Sequence, residues 1–131
     1  MLRDQIRLEE KVKKERRTIG SLKRLVALFA KPDSWVQGVA AVDADGNPAD
    51  PSSDEAVKWD LYFACLAVKA DVRDIFTPKD GGIFNTVTSW NDDPARTIAD
   101  VRKLLKGKLV VAEAAYGEHE LELRKMIADR G

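Results

Sequence analysis

Asp92 and Asp93, followed by Arg96 in the segment SWNDDPARTIADV (residues 89–101), are the residue types of an acid–base site with a cation beside it. A glycosidase-type acid pair must flank one bond, and adjacent carboxylates do not converge in that way. The same residues also spell a helix start. Asn91, Asp92 or Asp93 offers an oxygen acceptor at the N-cap, Pro94 suits the first helical position, and acid is favoured at that end of the helix dipole. The structural role is the expected one, with Arg96 folding back onto Asp92 or Asn91 and Trp90 anchoring the preceding loop.

His119 is the single histidine, with Glu118, Glu120 and Glu122 close in sequence, a composition that could move a proton or hold a metal. Without a second nitrogen or sulfur ligand it makes a weak zinc site, and its place beside an apolar helical stripe predicts a half-buried structural residue. Asp43, Asp45 and Asn47 alternate like the opening of a calcium loop, but Pro48 and Asp54 stand where that loop needs Gly and Glu. A solvated hairpin turn whose Asp and Asn cap their own backbone is expected instead. Cys65, within the apolar run LYFACLAV, is expected to be a small buried hydrophobe. No cofactor motif and no metal-ligand set is read from the sequence, and no catalytic residue is assigned.

The remaining candidates are surface charges. Residues 1–30 hold nine Lys/Arg against four Asp/Glu and the rest holds thirteen against eighteen, so a neutral chain divides into a basic start and an acidic remainder. Arg3, Arg7, Lys11, Lys14, Arg16 and Arg17 at one end, and Asp43, Asp45 and Asp50 at the other, are the expected partner-binding residues. The same cations could neutralise phosphates. Against nucleic acid stand the interleaved Asp4, Glu9, Glu10 and Glu15 and the absence of an aromatic side chain for stacking in that segment.

These groups need elements to hold them. Residues 2–17 are good helix formers with Glu9–Lys13 and Glu10–Lys14 in the favourable order, but Leu2, Ile6, Leu8 and Val12 give only a narrow apolar seam. The helix is expected to project, or to pair along that seam. A second helix from Ser21 to about Ala30 presents Leu22, Leu25, Val26 and Phe29 to the core, its continuity with the first through Gly20 left open. WVQGVAAV and the DADGNPADP turn predict a short hairpin. A buried helix is expected from Ser52 or Ser53 to about Ala70, mixed structure to residue 90, and a helix from Pro94 to about Leu105 stopped by KGK. A final helix spans about 109–129, with Leu109, Ala112, Tyr116, Leu123 and Ile127 as its stripe.

Two of these segments resemble a known pattern. Trp35, Gln37, Gly38, Asp43 and Gly46 in the first, with Trp90, Asn91, Asp92, Pro94, Arg96 and Thr97 in the second, resemble a family of small bacterial and phage proteins known only as a domain of unknown function. The likeness covers about residues 19–106. This chain lacks the Cys and Gly that the family carries early in its central helix, and its long terminal helices look like additions. The resemblance implies a prokaryotic or phage setting and no reaction.

The sequence therefore predicts a mainly α fold, a single domain of about five helices with a small β-hairpin. It divides into a charged N-terminal helix (1–17), a core domain (18–106) and a C-terminal helix (107–131). With no signal sequence and no apolar run of membrane-spanning length, a soluble cytoplasmic protein is expected. The expected function is a non-enzymatic small interaction protein that binds a protein partner, including another copy of itself, and a phage-encoded modulator of a host system is one such role. The alternatives are a nucleic-acid-binding accessory protein using the basic N-terminal helix, and an enzyme with a polar site around Asp92, Arg96 and His119.

Overall fold

The first helix, α1 (Leu2–Ala30), runs unbroken through Gly20 in the computed structural model, which describes residues 2–130. After it come β1 (Ala41–Val42), β2 (Lys58–Trp59), α2 (Leu61–Ala67), a 3-10 turn (Val72–Asp74), α3 (Gly82–Asn91) and α4 (Ile98–Arg130). The fold is mainly α with one small antiparallel hairpin, as the sequence predicts, and the described residues form four α-helices rather than about five. None of these helices is long and apolar enough to cross a membrane.

The count falls because neither Gly20 nor the KGK segment ends a helix. The domain boundaries expected at 17/18 and 106/107 both fall inside continuous helices, of 29 and 33 residues. A glycine inside a helix costs about 1 kcal/mol against alanine, and pairing of α1 with α4 outweighs it. Gln5 meets Arg130, Glu15 meets His119, and the Phe29 carbonyl accepts from Arg102, so the two helices run antiparallel. Along α1 the facing residues are 5, 8, 12, 15, 19, 22, 26 and 29; along α4 they are 102, 105, 109, 112, 116, 119, 123 and 126, none of them exposed. Alternating steps of three and four are the heptad seam of a coiled pair. Ile127, expected on the stripe, is instead 50% exposed, and Met126 takes its place.

The core lies at one end of this pair. Leu22, Leu25 and Phe29 of α1 and Val101 and Leu105 of α4 join Trp59, Leu61, Ala64, Cys65, Ile75 and Val87 in one buried cluster. Leu8 (8% exposed) and Val12 (3%) are buried outside that cluster, so the paired helix ends form a stem standing off the core. At 1.5 Å per residue, the 29 and 33 residues of α1 and α4 make rods of about 43 and 50 Å.

The central helix is shorter than expected. Ser52 to Glu55 mimic a helix start, but Lys58 and Trp59 are held in a ladder with Val42 and Ala41, and the helix can begin only after that pairing ends. Asp60 is the true N-cap, its carboxylate accepting from the Phe63 N–H at 2.8 Å. At the other end Lys69 adopts φ 58°, its N–H reaching Leu66 O and the Ala70 N–H reaching Cys65 O at 2.8 Å. That is the Schellman closure, built on a lysine where glycine is preferred. Arg24 secures it by donating to the carbonyls of Val68 and Lys69. Of the segment left mixed by the sequence, residues 82–91 form α3, entered through Gly81 at φ 90°, where an added Cβ would lie 2.4 Å from Asn85 Nδ2.

Candidate functional site

The two motif segments meet at the end of α3. Asn91 is wholly buried, and its side chain makes four hydrogen bonds. Its Oδ1 accepts from Trp35 Nε1 at 2.6 Å and from the Leu61 N–H at 3.0 Å. Its Nδ2 donates to Val36 O at 3.1 Å and to Asp92 Oδ1 at 2.9 Å. An amide offers two donor hydrogens and an acceptor oxygen with two lone pairs, so every capacity of Asn91 is used. One side chain thus ties the loop after α1, the start of α2 and the exit from α3.

Gln37 and Gly38 complete the joint from the loop side. Gln37 Nε2 donates to the carbonyls of Asn91 (2.9 Å) and Asp93 (2.8 Å), and the Gly38 N–H, at a residue with φ 81°, reaches Asp92 Oδ1 at 3.0 Å. That positive φ is the conformation that glycine adopts without steric cost. Arg96 Nε donates to Trp90 O, and its guanidinium lies 3.9 Å from the centre of the Trp90 ring, while Phe76 packs edge-on against that ring. Trp90, expected at the end of a loop, lies instead in the last turn of α3, partly buried against the core, and Arg96 folds back onto Trp90 rather than onto Asp92 or Asn91.

The helix start differs from the expected one. Asp92 is bound to Asn91 and Gly38, and Asp93 caps only a turn, accepting from the Ala95 N–H at 3.0 Å. Thr97 and Asp100 form the reciprocal capping box of α4: the Thr97 N–H donates to Asp100 Oδ2 at 2.9 Å and the Asp100 N–H to Thr97 Oγ1 at 3.4 Å. Pro94 therefore belongs to the turn before the helix and not to its first position.

Two buried titratable groups surround the joint. Burial, and then the nearby Asp92 carboxylate, push Asp60 up to about 6 against the lowering effect of its backbone hydrogen bonds. Burial pushes the Cys65 thiol up to about 12, which keeps it protonated and agrees with a small buried hydrophobe. His119 is far from this place, since it pairs with Glu15 at 2.8 Å on the stem, about 33 Å along α4 from Thr97. Asp92, Arg96 and His119 do not converge, and the polar cluster at Asp92 has no histidine in it.

The residues expected to bind a partner occupy two separate regions. Arg3, Arg7, Lys11, Lys14, Arg16 and Arg17 are all exposed on the stem, spread around α1, with Arg16 over the Tyr116 ring at 5.7 Å. Asp4, Arg7, Leu8 and Lys11 of α1 face His119, Glu122 and Met126 of α4 across a groove of about 390 Å³. Asp43 and Asp50 hold their own turns, accepting from Asp45 and Asn47, and from Ser52, and Asp45 is exposed. Among the described residues no group of three or more His, Cys, Asp or Glu is arranged to hold a metal.

Sequence reasoning missed one surface altogether. Val110 (67% exposed) and Val111 (68%) lie on the outer side of α4, beside a groove of about 460 Å³ lined by Trp90, Arg96, Leu104, Gly107 and Val111. The signal was present, since adjacent valines outside the seam of an otherwise polar helix have no use within the chain. Compared with family models, with curated proteins and with solved structures, the chain finds no match.

Proposed function

We propose that this protein is a non-enzymatic interaction module that binds a protein partner through its helical stem. The observation that carries the reading is the stem itself: the first turns of α1 and the last turns of α4 bury only Leu8 and Val12, outside the core cluster. A projecting pair of helices adds little to a core at its other end, and its exposed surface carries Arg7, Lys11 and Lys14 beside the apolar Leu2, Ile6 and Ile127. Mixed cationic and apolar surface suits a protein partner of acidic character. The motif resemblance is the support for a bacterial or phage setting, where a modulator of a host system is one such role.

Capture from a bacterial lysate tests it. The charge reversal Arg7→Glu with Lys11→Glu and Lys14→Glu should leave the helical spectrum and thermal transition intact and abolish retention of a specific protein. Identical capture by the wild type and the variant removes the reading.

A second reading is supported by the exposed cations Arg3, Arg7, Lys11, Lys14, Arg16 and Arg17 on the stem: a nucleic-acid accessory role. Each phosphate contact would steepen the salt dependence of binding. A gel shift at low salt that disappears in the same triple variant supports it, and no shift of DNA or RNA at low salt removes it.

A further inference from the structure

We propose that the base of α4 binds double-stranded DNA, with Gly107 facing the major groove and lysines on either side of it reaching the phosphates. The inference goes beyond the stem readings above and rests on neither of them.

Folding moves the positive charge. In sequence the surplus lies at the chain start, but α4 brings its acidic end, Glu113 to Asp129, back alongside that start. The stem, residues 2–17 with 113–130, thereby holds ten Lys/Arg against nine Asp/Glu and is close to neutral as a body. The base of the helix pair, residues 18–31 with 96–111, holds eight Lys/Arg against Asp100 alone. That carboxylate is engaged by Thr97 in the capping box, and Asp93, just outside, meets Arg96 at 3.9 Å. Among the described residues no carboxylate lies within ion-pair distance of Lys31, Lys103, Lys106 or Lys108, and all four are exposed.

These cations share one surface. Arg102, Lys103, Lys106 and Gly107 line a groove of about 550 Å³, and the adjoining groove beside Trp90 is lined by Lys103, Gly107 and Lys108. Lys31 joins them through Arg102, which donates to its carbonyl at 3.4 Å. Because α4 continues to Arg130, the lysines of KGK face no terminal carbonyls and have no capping use. Glycine weakens a helix, yet a Cβ at Gly107 would meet nothing within 4 Å, so packing within the chain does not call for it.

The geometry suits a duplex groove. Lys106 and Lys108 are two residues apart and leave α4 on opposite flanks, with Gly107 between them. A helix with its side chains is about 10–12 Å across, and the major groove of B-DNA is about 12 Å wide. The lysines then meet the two phosphate rims, while the missing side chain at Gly107 lets the backbone approach the base edges. The deep, narrow major groove of duplex RNA does not admit this arrangement. A single strand needs a free aromatic ring to stack on, and Trp90, the ring at this surface, is covered by Arg96 at 3.9 Å. Lysine is depleted at protein interfaces. Val110 and Val111, at the edge of the patch, are too little apolar surface to insert into lipid.

Fluorescence anisotropy of a labelled DNA duplex of mixed sequence, titrated with the full chain, provides the test. About four phosphate contacts give a log–log salt slope of about −3.6, a loss of affinity on the order of a hundredfold between about 50 and 200 mM salt. Lys103→Glu with Lys106→Glu should weaken binding at least about tenfold, and Lys103→Gln with Lys106→Gln should roughly halve the salt slope. Lys103→Arg with Lys106→Arg should bind as the wild type does. The stem variant Arg7→Glu, Lys11→Glu, Lys14→Glu should stay within about threefold of the wild type, since its charges are distant and screened. Circular dichroism checks the fold, and the Gln variant decides if the Glu variant loses its helical spectrum. No binding by the wild type at low salt overturns the proposal, as does undiminished binding by the Glu and Gln variants. Tighter binding to duplex RNA or to vesicles containing phosphatidylserine overturns it too, as does displacement of the DNA by polyglutamate at equal charge. Binding lost in the stem variant and kept in the base variants returns the contact to the stem. A chain that binds no duplex yet captures a protein through its stem refutes this inference alone, and duplex binding without stem capture refutes only the stem reading.

Discussion

Replacing Asn91 by alanine should come close to unfolding this protein. The substitution removes the acceptor of Trp35 Nε1 and of the buried Leu61 N–H, and the donor to Val36 O, while Asp92 loses one of two partners. Leaving a buried polar group unsatisfied costs about 1–3 kcal/mol. Three such groups, reduced for partial relaxation into solvent at Trp35, give about 3–6 kcal/mol against a total stability of about 5–15 kcal/mol for a domain of this size. Asn91→Asp separates the donor from the acceptor: Oδ1 keeps both of its bonds, while the new carboxylate faces Asp92 and Val36 O in place of an N–H. Its cost should therefore be large at pH 7 and should fall as pH drops, because protonation removes the repulsion and restores a donor. Urea denaturation followed by circular dichroism at pH 7 and pH 5 measures both. If Asn91→Ala costs less than about 1 kcal/mol, or Asn91→Asp shows no pH dependence relative to the wild type, the hydrogen-bond joint does not hold the fold.

Other perturbations test neighbouring parts. Asp60 sits at about 6 in the folded protein against 3.8 for a free aspartate, so folding binds its proton more tightly; its stabilising contribution is full below about pH 4 and is lost as pH rises through 6. Asp60→Asn keeps the cap acceptor and removes the charge, so it should raise stability above pH 6 by up to about 2–3 kcal/mol and flatten the pH profile between 4 and 6, as read by denaturation across pH. Thr97→Ala should cost about 1 kcal/mol through the lost cap, and Asp93→Ala should cost less in the same melts. Lys69→Gly should raise the stability by roughly 1 kcal/mol, since it relieves a left-handed residue. Glu15→Leu with His119→Leu should raise the thermal midpoint, because a well-packed apolar pair avoids desolvating two polar groups, whereas His119→Ala alone should lower it.

Particular residues show what was legible in the sequence and what was not. The core face of α1 was readable because Leu22, Leu25 and Phe29 repeat at helical spacing and all end in the buried cluster. The full seam was not, because Gln5, Glu15, Arg102 and His119 occupy seam positions and break the apolar stripe. Glu15 and His119 become intelligible only together, and they lie 104 residues apart in sequence. Helix ends failed where local signals were outweighed by distant ones: KGK reads as a stop until Leu105 and Leu109 are packed toward α1. The Ser52–Glu55 start fails because Lys58 and Trp59 belong to a strand. One local signal was simply passed over, since Thr97 and Asp100 stand at the spacing of a capping box. At the candidate site the residue set was legible in Trp35, Gln37, Gly38, Asn91 and Asp92, but its wiring was not, because Asn91 bonds to two segments distant in sequence, at residues 35–37 and at Leu61.

The wiring bears on where function can reside. Trp35 and Asn91 are bonded to each other, Gln37 to the carbonyls of Asn91 and Asp93, Gly38 to Asp92, and Arg96 to Trp90. The atoms so bonded already have intramolecular partners, so a ligand that engaged those atoms would compete with the joint. Arg102, donating to the Phe29 carbonyl at 2.6 Å, then fixes α4 against the end of α1 at the base of the pair. The consequence of the joint is a fixed direction for the stem. Substitutions at the motif residues would therefore disturb that direction, while substitutions on the surfaces that the joint leaves free, the stem cations and the outer face of α4, would leave it unchanged.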